Sequence, residues 1–280
     1  MSKTHDDGST TLSPKPTRDG GSYVDVADIR MYVERHGSGE PLMLVQPLSG
    51  ESWDPVRSLL AERFDVVNPD MRGQGRTSEG EGPITYGRMA ADIVGLLDVL
   101  QISAAHFVGW SDGGCDVLHL LVDFPDRVRS ATLIGTPLHH DDYVPYGLDF
   151  LRRTFAELRS GEGSPDMRHS YERLSPHPER WLRLLDKLER TWLSQPMWAD
   201  QVLATVDRPV LVIEVEHDAF LPAEVFRRTA KLFPRGQLAS IPDGTHGVVG
   251  QFPNELAQEI IQFIDSLPAD PDSRTSAKTG

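Results

Sequence analysis

Ser111 lies in Gly109-Trp110-Ser111-Asp112-Gly113, a G-x-S-x-G pattern between the apolar run Ala104–Val108 and a helical-looking segment, Asp112 to about Phe124, that Pro125 ends. A serine in a sharp strand-to-helix turn holds a strained backbone, and glycines two before and two after it let neighbouring backbone approach where a Cβ would collide. The hydroxyl is thereby lifted clear of the sheet. Free N–H groups at the start of the following helix point towards it and suit a developing oxyanion. Gly and Ser are common letters, so the placement between strand and helix carries the inference: nucleophilic attack on an acyl carbon.

An activated serine needs a general base and a group to orient that base. The run Pro209–Ile213 reads as a buried strand and leads into Glu214-Val215-Glu216-His217-Asp218, which puts Asp218 in a loop just past the strand. A second run, Gln237–Ile241, is followed by the turn-rich Pro242-Asp243-Gly244-Thr245-His246-Gly247, which carries His246. Ser111, Asp218 and His246 all fall at C-terminal ends of predicted parallel strands, where open α/β sheets gather their sites.

From about Ser22 to Leu267 the chain resembles the α/β-hydrolase superfamily. The nucleophile turn is one resemblance; Asp70-Met71-Arg72-Gly73-Gln74-Gly75-Arg76-Thr77-Ser78 is similar to that superfamily's D-x-R-G-x-G-x-S loop. Glu216-His217-Asp218 resembles its acid loop and Gly244-Thr245-His246-Gly247 its histidine loop, in the chain order nucleophile, acid, base. The resemblance implies a catalytic Ser111, Asp218 and His246. Glu214 and Glu216 compete with Asp218, but Glu214 falls where the strand ends and Glu216 lies two residues from the matching position. One departure is Gln46-Pro47-Leu48-Ser49-Gly50, where these proteins usually carry His-Gly after the third strand. Pro47 has no N–H. The implied oxyanion donors are therefore the amides of Leu48 and Asp112. Asp112 as an alternative nucleophile would need a small residue at position 110, which is Trp110, and Thr136 leaves no carboxylate at the other acid position used by some relatives.

These residues need a scaffold. Alternation in Tyr23–Val26 and Arg30–Val33 suggests an antiparallel hairpin. Strands at Leu42–Val45, Asp65–Val67, Ala105–Val108, Ala131–Ile134, Val210–Ile213 and Gln237–Ile241 then alternate with helices near Asp54–Arg63, Tyr86–Leu100, Asp112–Phe124, Ala223–Leu232 and Asn254–Leu267. The expected fold is α/β: a mostly parallel eight-stranded sheet with helices on both faces. Its expected domain covers 22–267, with core 22–135 and 207–267, and a helical cap, 136–206, inserted after strand six. The cap's expected helices, Leu148–Arg159 and Glu179–Leu193, carry Phe150, Phe155, Trp181 and Trp192, and three of the chain's five tryptophans fall in this insertion. Residues expected to touch substrate are Trp110, His139, Trp181 and Trp192, although aromatics at helical spacing also serve as packing.

At 280 residues and 39% hydrophobic, the chain can bury a substantial core. The net charge of −14 argues against nucleic acid and anionic membranes as partners. No run approaches a membrane span, and Met1–Gly21 is polar without a secretory apolar stretch. Cys115 is the one cysteine, so no internal disulfide forms and a cytoplasmic location is expected. Residues 1–21 and 268–280 read as disordered tails. His139-His140-Asp141-Asp142 has ligand-type side chains, but adjacent loop residues rarely converge on one ion, so no metal is expected, nor any cofactor. The expected partner is a small-molecule substrate, with a homo-oligomer left open. Ester or lactone hydrolysis is the expected activity. A non-hydrolytic enzyme on the same fold (lyase, oxygenase or peroxidase) and a silent binding protein stand as alternatives.

Overall fold

A computed structural model describes residues 20–46, 50–162 and 165–268; Leu48 and nearly all of the two expected tails lie outside them. Eight strands, β1 (Ser22–Val26), β2 (Ile29–Gly37), β3 (Glu40–Val45), β4 (Phe64–Pro69), β5 (Ala105–Trp110), β6 (Val128–Ile134), β7 (Val210–His217) and β8 (Gly236–Thr245), form one sheet in the order β1-β2-β4-β3-β5-β6-β7-β8. Pairings β1·β2 and β2·β4 are antiparallel and the remainder parallel. The central strands are buried along nearly their whole length because helices cover both faces, leaving no solvated side on which polar residues could alternate.

The helices are α1 (Asp54–Leu60), α2 (Tyr86–Val99), α3 (Asp112–Asp123), α4 (Pro145–Ser160), α5 (Pro165–Leu174), α6 (Trp181–Trp192), α7 (Asp200–Leu203), α8 (Ala223–Leu232), α9 (Val248–Gln251) and α10 (Pro253–Asp265). Chain direction explains the layers. The β3-α1-β4 crossover runs one way along the sheet, whereas β4-α2-β5, β5-α3-β6 and β7-α8-β8 run the other. With a common right-handed crossover, α1 must lie on the face opposite α2, α3 and α8. Accordingly α2 packs on α3, and α1 on α10. Strand order reverses between β3 and β5, and that crevice, past the strands' C-terminal ends, is where such sheets bind ligands.

Between β6 and β7 the chain leaves the sheet for α4–α7. Helix α6 buries Trp181, Leu184, Leu185, Leu188 and Thr191, a three-and-four spacing that forms one apolar stripe. The helix is tied to the core segment 79–84: Arg183 Nε lies 3.1 Å from Glu79, Lys187 pairs with the same carboxylate and donates to Gly82 O at 2.7 Å, and the buried Thr191 Oγ1 donates to Ile84 O at 2.5 Å. Helices α5 and α7 were not expected from the sequence. The first is a short, strongly polar segment without a long apolar stripe, and the second is a single turn. Among the described residues no helix is long and apolar enough to cross a membrane.

The charged residues of the D-x-R-G-x-G-x-S-like loop are internal fasteners. Arg72, 1% exposed, forks onto Asp92 at 2.7 and 2.6 Å, and Asp70 accepts from both the backbone and the side chain of Arg76 at 2.8 and 2.7 Å. Removing one member of a buried pair strands the other charge, at a cost of about 3–5 kcal/mol. Arg72→Met should therefore lower unfolding stability in urea by that amount, with Arg72→Met/Asp92→Asn recovering part of it. A loss below about 1 kcal/mol would show that the pair does not fasten the loop.

Candidate active site

Helix α3 begins immediately after β5, leaving Ser111 at the corner with φ 54° and ψ −120°, outside the regions L-residues prefer. Close approach explains the flanking glycines: a Cβ on Gly113 would stand 2.2 Å from Val45 O, and one on Gly114 1.8 Å from Thr136 Oγ1. The corner is thus wedged between the ends of β3 and β6, and Ser111 N donates to Ile134 O at 2.7 Å.

His246 follows β8 directly. Its Nε2 lies 2.8 Å from Ser111 Oγ and its Nδ1 2.8 Å from Asp218 Oδ2. The Asp218 side chain is fully buried, and its second oxygen accepts the amides of Phe220 and Leu221 at 2.8 and 3.1 Å, which fixes the carboxylate against rotation. The other acids of this region point elsewhere. Glu214 pairs with Arg227 at 2.8 Å, and Glu216 accepts the amide of Asp243 at 3.0 Å.

Trp110, half-buried, donates its indole N–H to His246 O at 2.9 Å and packs edge-on against Trp53, bracing the histidine loop. Trp192, at the end of α6, donates to Asp112 Oδ2 at 2.6 Å. Trp181 is 3% exposed and packs on Tyr171 of α5, inside the helical insertion. His139 opens the short turn His140–Asp142, with its Nδ1 accepting the amide of Asp141 at 3.2 Å. Donor atoms of His139, His140 and Asp141 lie within 4.8 Å of one another, as do those of Glu216, His217 and Asp243. Leu48 is outside the described residues; the neighbouring Gln46 is buried and ties the end of β3 to Pro69 O at 2.9 Å.

A sequence profile described as the alpha/beta hydrolase family matches residues 36–259. The chain belongs to that family. This α/β hydrolase is 26% identical over 272 residues to "Putative carbamate hydrolase RutD" of Azorhizobium caulinodans, covering 88% of this chain and 98% of the relative. It is 27% identical over 266 residues to "Putative non-heme bromoperoxidase BpoC" of Mycobacterium tuberculosis, covering 86% and 100%. Among solved structures, a thermophilic esterase from Thermogutta terrifontis superposes with a TM-score of 0.70 at 24% identity, covering 87% of this chain and 98% of that one.

Three features of this hydrolase escaped sequence reasoning. A Cβ on Gly135, φ +57°, would stand 3.0 Å from His246 Cε1 and 3.3 Å from Asp218 Oδ2, so that glycine makes room for the His246–Asp218 pair; its signal was a glycine directly after a predicted strand. The Phe220 ring meets the His246 ring edge to face with centroids 4.5 Å apart. Finally, the Asp112 carboxyl, 8% exposed, accepts from both Tyr86 Oη and Trp192 Nε1. Burial pushes that carboxyl up from 3.8 to about 7, against the opposing pull of its two donors.

The raised value has a sign. Because the folded pKa exceeds the unfolded one, Asp112 contributes stability that is full below about pH 4 and is lost as pH rises to about 7. Asp112→Asn has no proton to lose, so its unfolding free energy relative to the parent should rise by up to about 4 kcal/mol between pH 4 and pH 8 in urea titrations. A difference that does not vary with pH would contradict the assignment.

Proposed function

We propose that this protein is a serine hydrolase that cleaves a carboxylic ester or lactone of a small, apolar or aromatic molecule through an acyl-enzyme. The observation that carries the proposal is the continuous row Asp218–His246–Ser111, two contacts of 2.8 Å ending on a serine at the corner between β5 and α3. His246 takes the Ser111 proton as the oxygen attacks the carbonyl, then returns it to the leaving alkoxide. Asp218 fixes the tautomer and stabilises the imidazolium. The Asp112 amide, at the start of α3, is one oxyanion donor, and Leu48 is assigned the other. Support for that second assignment is the contact of Gly113 with Val45 O, which brings the end of β3 against the corner. Water resolves the acyl-enzyme through the same base. The relay is self-contained and the proposed chemistry needs no cofactor. Trp110 and Trp192, both half-buried beside Ser111 and Asp112, favour an apolar or aromatic group.

The likeness to a relative named for carbamate hydrolysis favours a second reading, in which the carbonyl attacked belongs to a carbamate. The same three residues would act on it, and turnover of matched p-nitrophenyl esters and carbamates separates the two. For either substrate, Ser111→Ala and His246→Ala should each lose on the order of 10⁴-fold in kcat, with the double variant little worse, because the residues act as a unit. Asp218→Asn should reduce kcat strongly with little change in KM, while Glu216→Gln stays near the parent. Additive losses, or a crippled Glu216→Gln beside a mild Asp218→Asn, would overturn the assignment.

A further inference from the structure

Asp112 does two things that are usually divided between residues. Its backbone opens α3 beside Ser111, and its side chain reaches away from the sheet to two donors on different elements, Tyr86 Oη at the start of α2 and Trp192 Nε1 at the end of α6. Cys115 and Tyr143 also face this carboxyl, and burial holds the thiol and the phenol well above their ordinary ranges, so both stay neutral at neutral pH and neither places a second negative charge beside it. With no cation in contact among the described residues, the two hydrogen bonds are what hold the carboxyl in place.

Helix α6 gives the arrangement its consequence. The other bonds that tie α6 to the core go to residues 79–84, which run into α2 through the N-cap Thr85. Among the described residues, the Trp192–Asp112 bond is the one hydrogen bond from α6 to residues 109–114. The Trp192 ring is also packed edge to face on Phe155 of α4, 5.3 Å between centroids, so one side chain links both long helices of the insertion to the serine corner.

We propose that Asp112 is a positioning residue: by gripping Trp192 and Tyr86 it makes the seating of α6 over the corner and the alignment of its own backbone amide a single event. The inference rests on the hydrolase reading for the amide's role. An oxyanion donor must be held to a fraction of an ångström, and misplacement by about 1 Å costs about 100-fold in rate. A carboxyl clamped from two sides restrains the first turn of α3, whose amide is not otherwise fixed by the helix ladder. Any ligand group that lifts Trp192 would loosen the donor together with the insertion.

The test compares two ways of loosening α6. Trp192→Phe keeps the ring on Phe155 but removes the N–H to Asp112; Thr191→Val removes the bond to Ile84 O and leaves Asp112 untouched. Both should speed hydrogen exchange in residues 181–192. Only Trp192→Phe should also speed exchange in residues 111–115 and lower kcat for p-nitrophenyl butyrate by about 10- to 100-fold with KM within about threefold. Tyr86→Phe should act in the same direction as Trp192→Phe. In Trp192→Phe, faster exchange in 181–192 without change in 111–115, or losses of kcat equal to those of Thr191→Val, would overturn the proposal. A parent inert towards the ester would refute the hydrolase reading, and the exchange comparison would still decide whether Asp112 couples the two segments.

Discussion

Everything in this molecule depends on a single residue being held in an unfavourable conformation. Ser111 at φ 54° and ψ −120° would relax if its neighbours allowed it, and such backbone costs on the order of 1–3 kcal/mol. The surroundings over-determine it. Residues 113 and 114 press on the ends of β3 and β6 so closely that only glycine fits, and the serine amide is bonded to Ile134 O. The sheet's strand order supplies the rest. Because the chain turns back between β3 and β5, the serine stands in an open crevice, with the ends of β6, β7 and β8 in reach to one side. Gly135, Asp218 and His246 come from those three ends, and the Cβ that position 135 lacks would fall against the other two.

Charge is used in two ways. The pairs Arg72–Asp92 and Asp70–Arg76 are almost fully buried, and they fasten the loop that follows β4. Asp218 and Asp112 are buried as well but, among the described residues, pair with no arginine. Backbone amides and His246 satisfy the first; a phenol and an indole satisfy the second. For Asp218, neutral donors in place of an arginine leave the carboxylate free to face the His246 ring, the arrangement that suits stabilising an imidazolium, whereas for Asp112 burial without a cation raises the carboxyl towards its neutral form. The difference separates the acids that build the fold from those set at its working end.

Much of this was legible in the chain. The central strands follow from short, mostly apolar runs ending near Gly, Asp or Pro, because strands buried on both faces leave few other compositions open, and the β1–β2 hairpin follows from its alternation. Ser111, Asp218 and His246 were legible because each sits in a turn whose residue types are restricted. Helix α5 was not, since its polar surface lacks an apolar stripe, and α9 is a single turn that owes its form to packing. The second role of Asp112 was hidden for a different reason. Acidic residues at the start of a helix are common for their effect on the dipole, and nothing local shows that Tyr86 and Trp192, 26 and 80 residues away, converge on the carboxyl. Likewise Trp181 and Trp192 read alike in sequence, but one faces Tyr171 within the insertion and the other reaches the corner.

The central claim is that the Asp218–His246 pair activates Ser111, and covalent labelling tests it without knowledge of the substrate. Folded protein treated with a fluorophosphonate should gain one adduct per chain, mapped by peptide mass spectrometry to Ser111, at a rate that falls sharply in His246→Ala. A folded, monodisperse sample that remains unlabelled, or that is labelled only at other residues, would contradict the account.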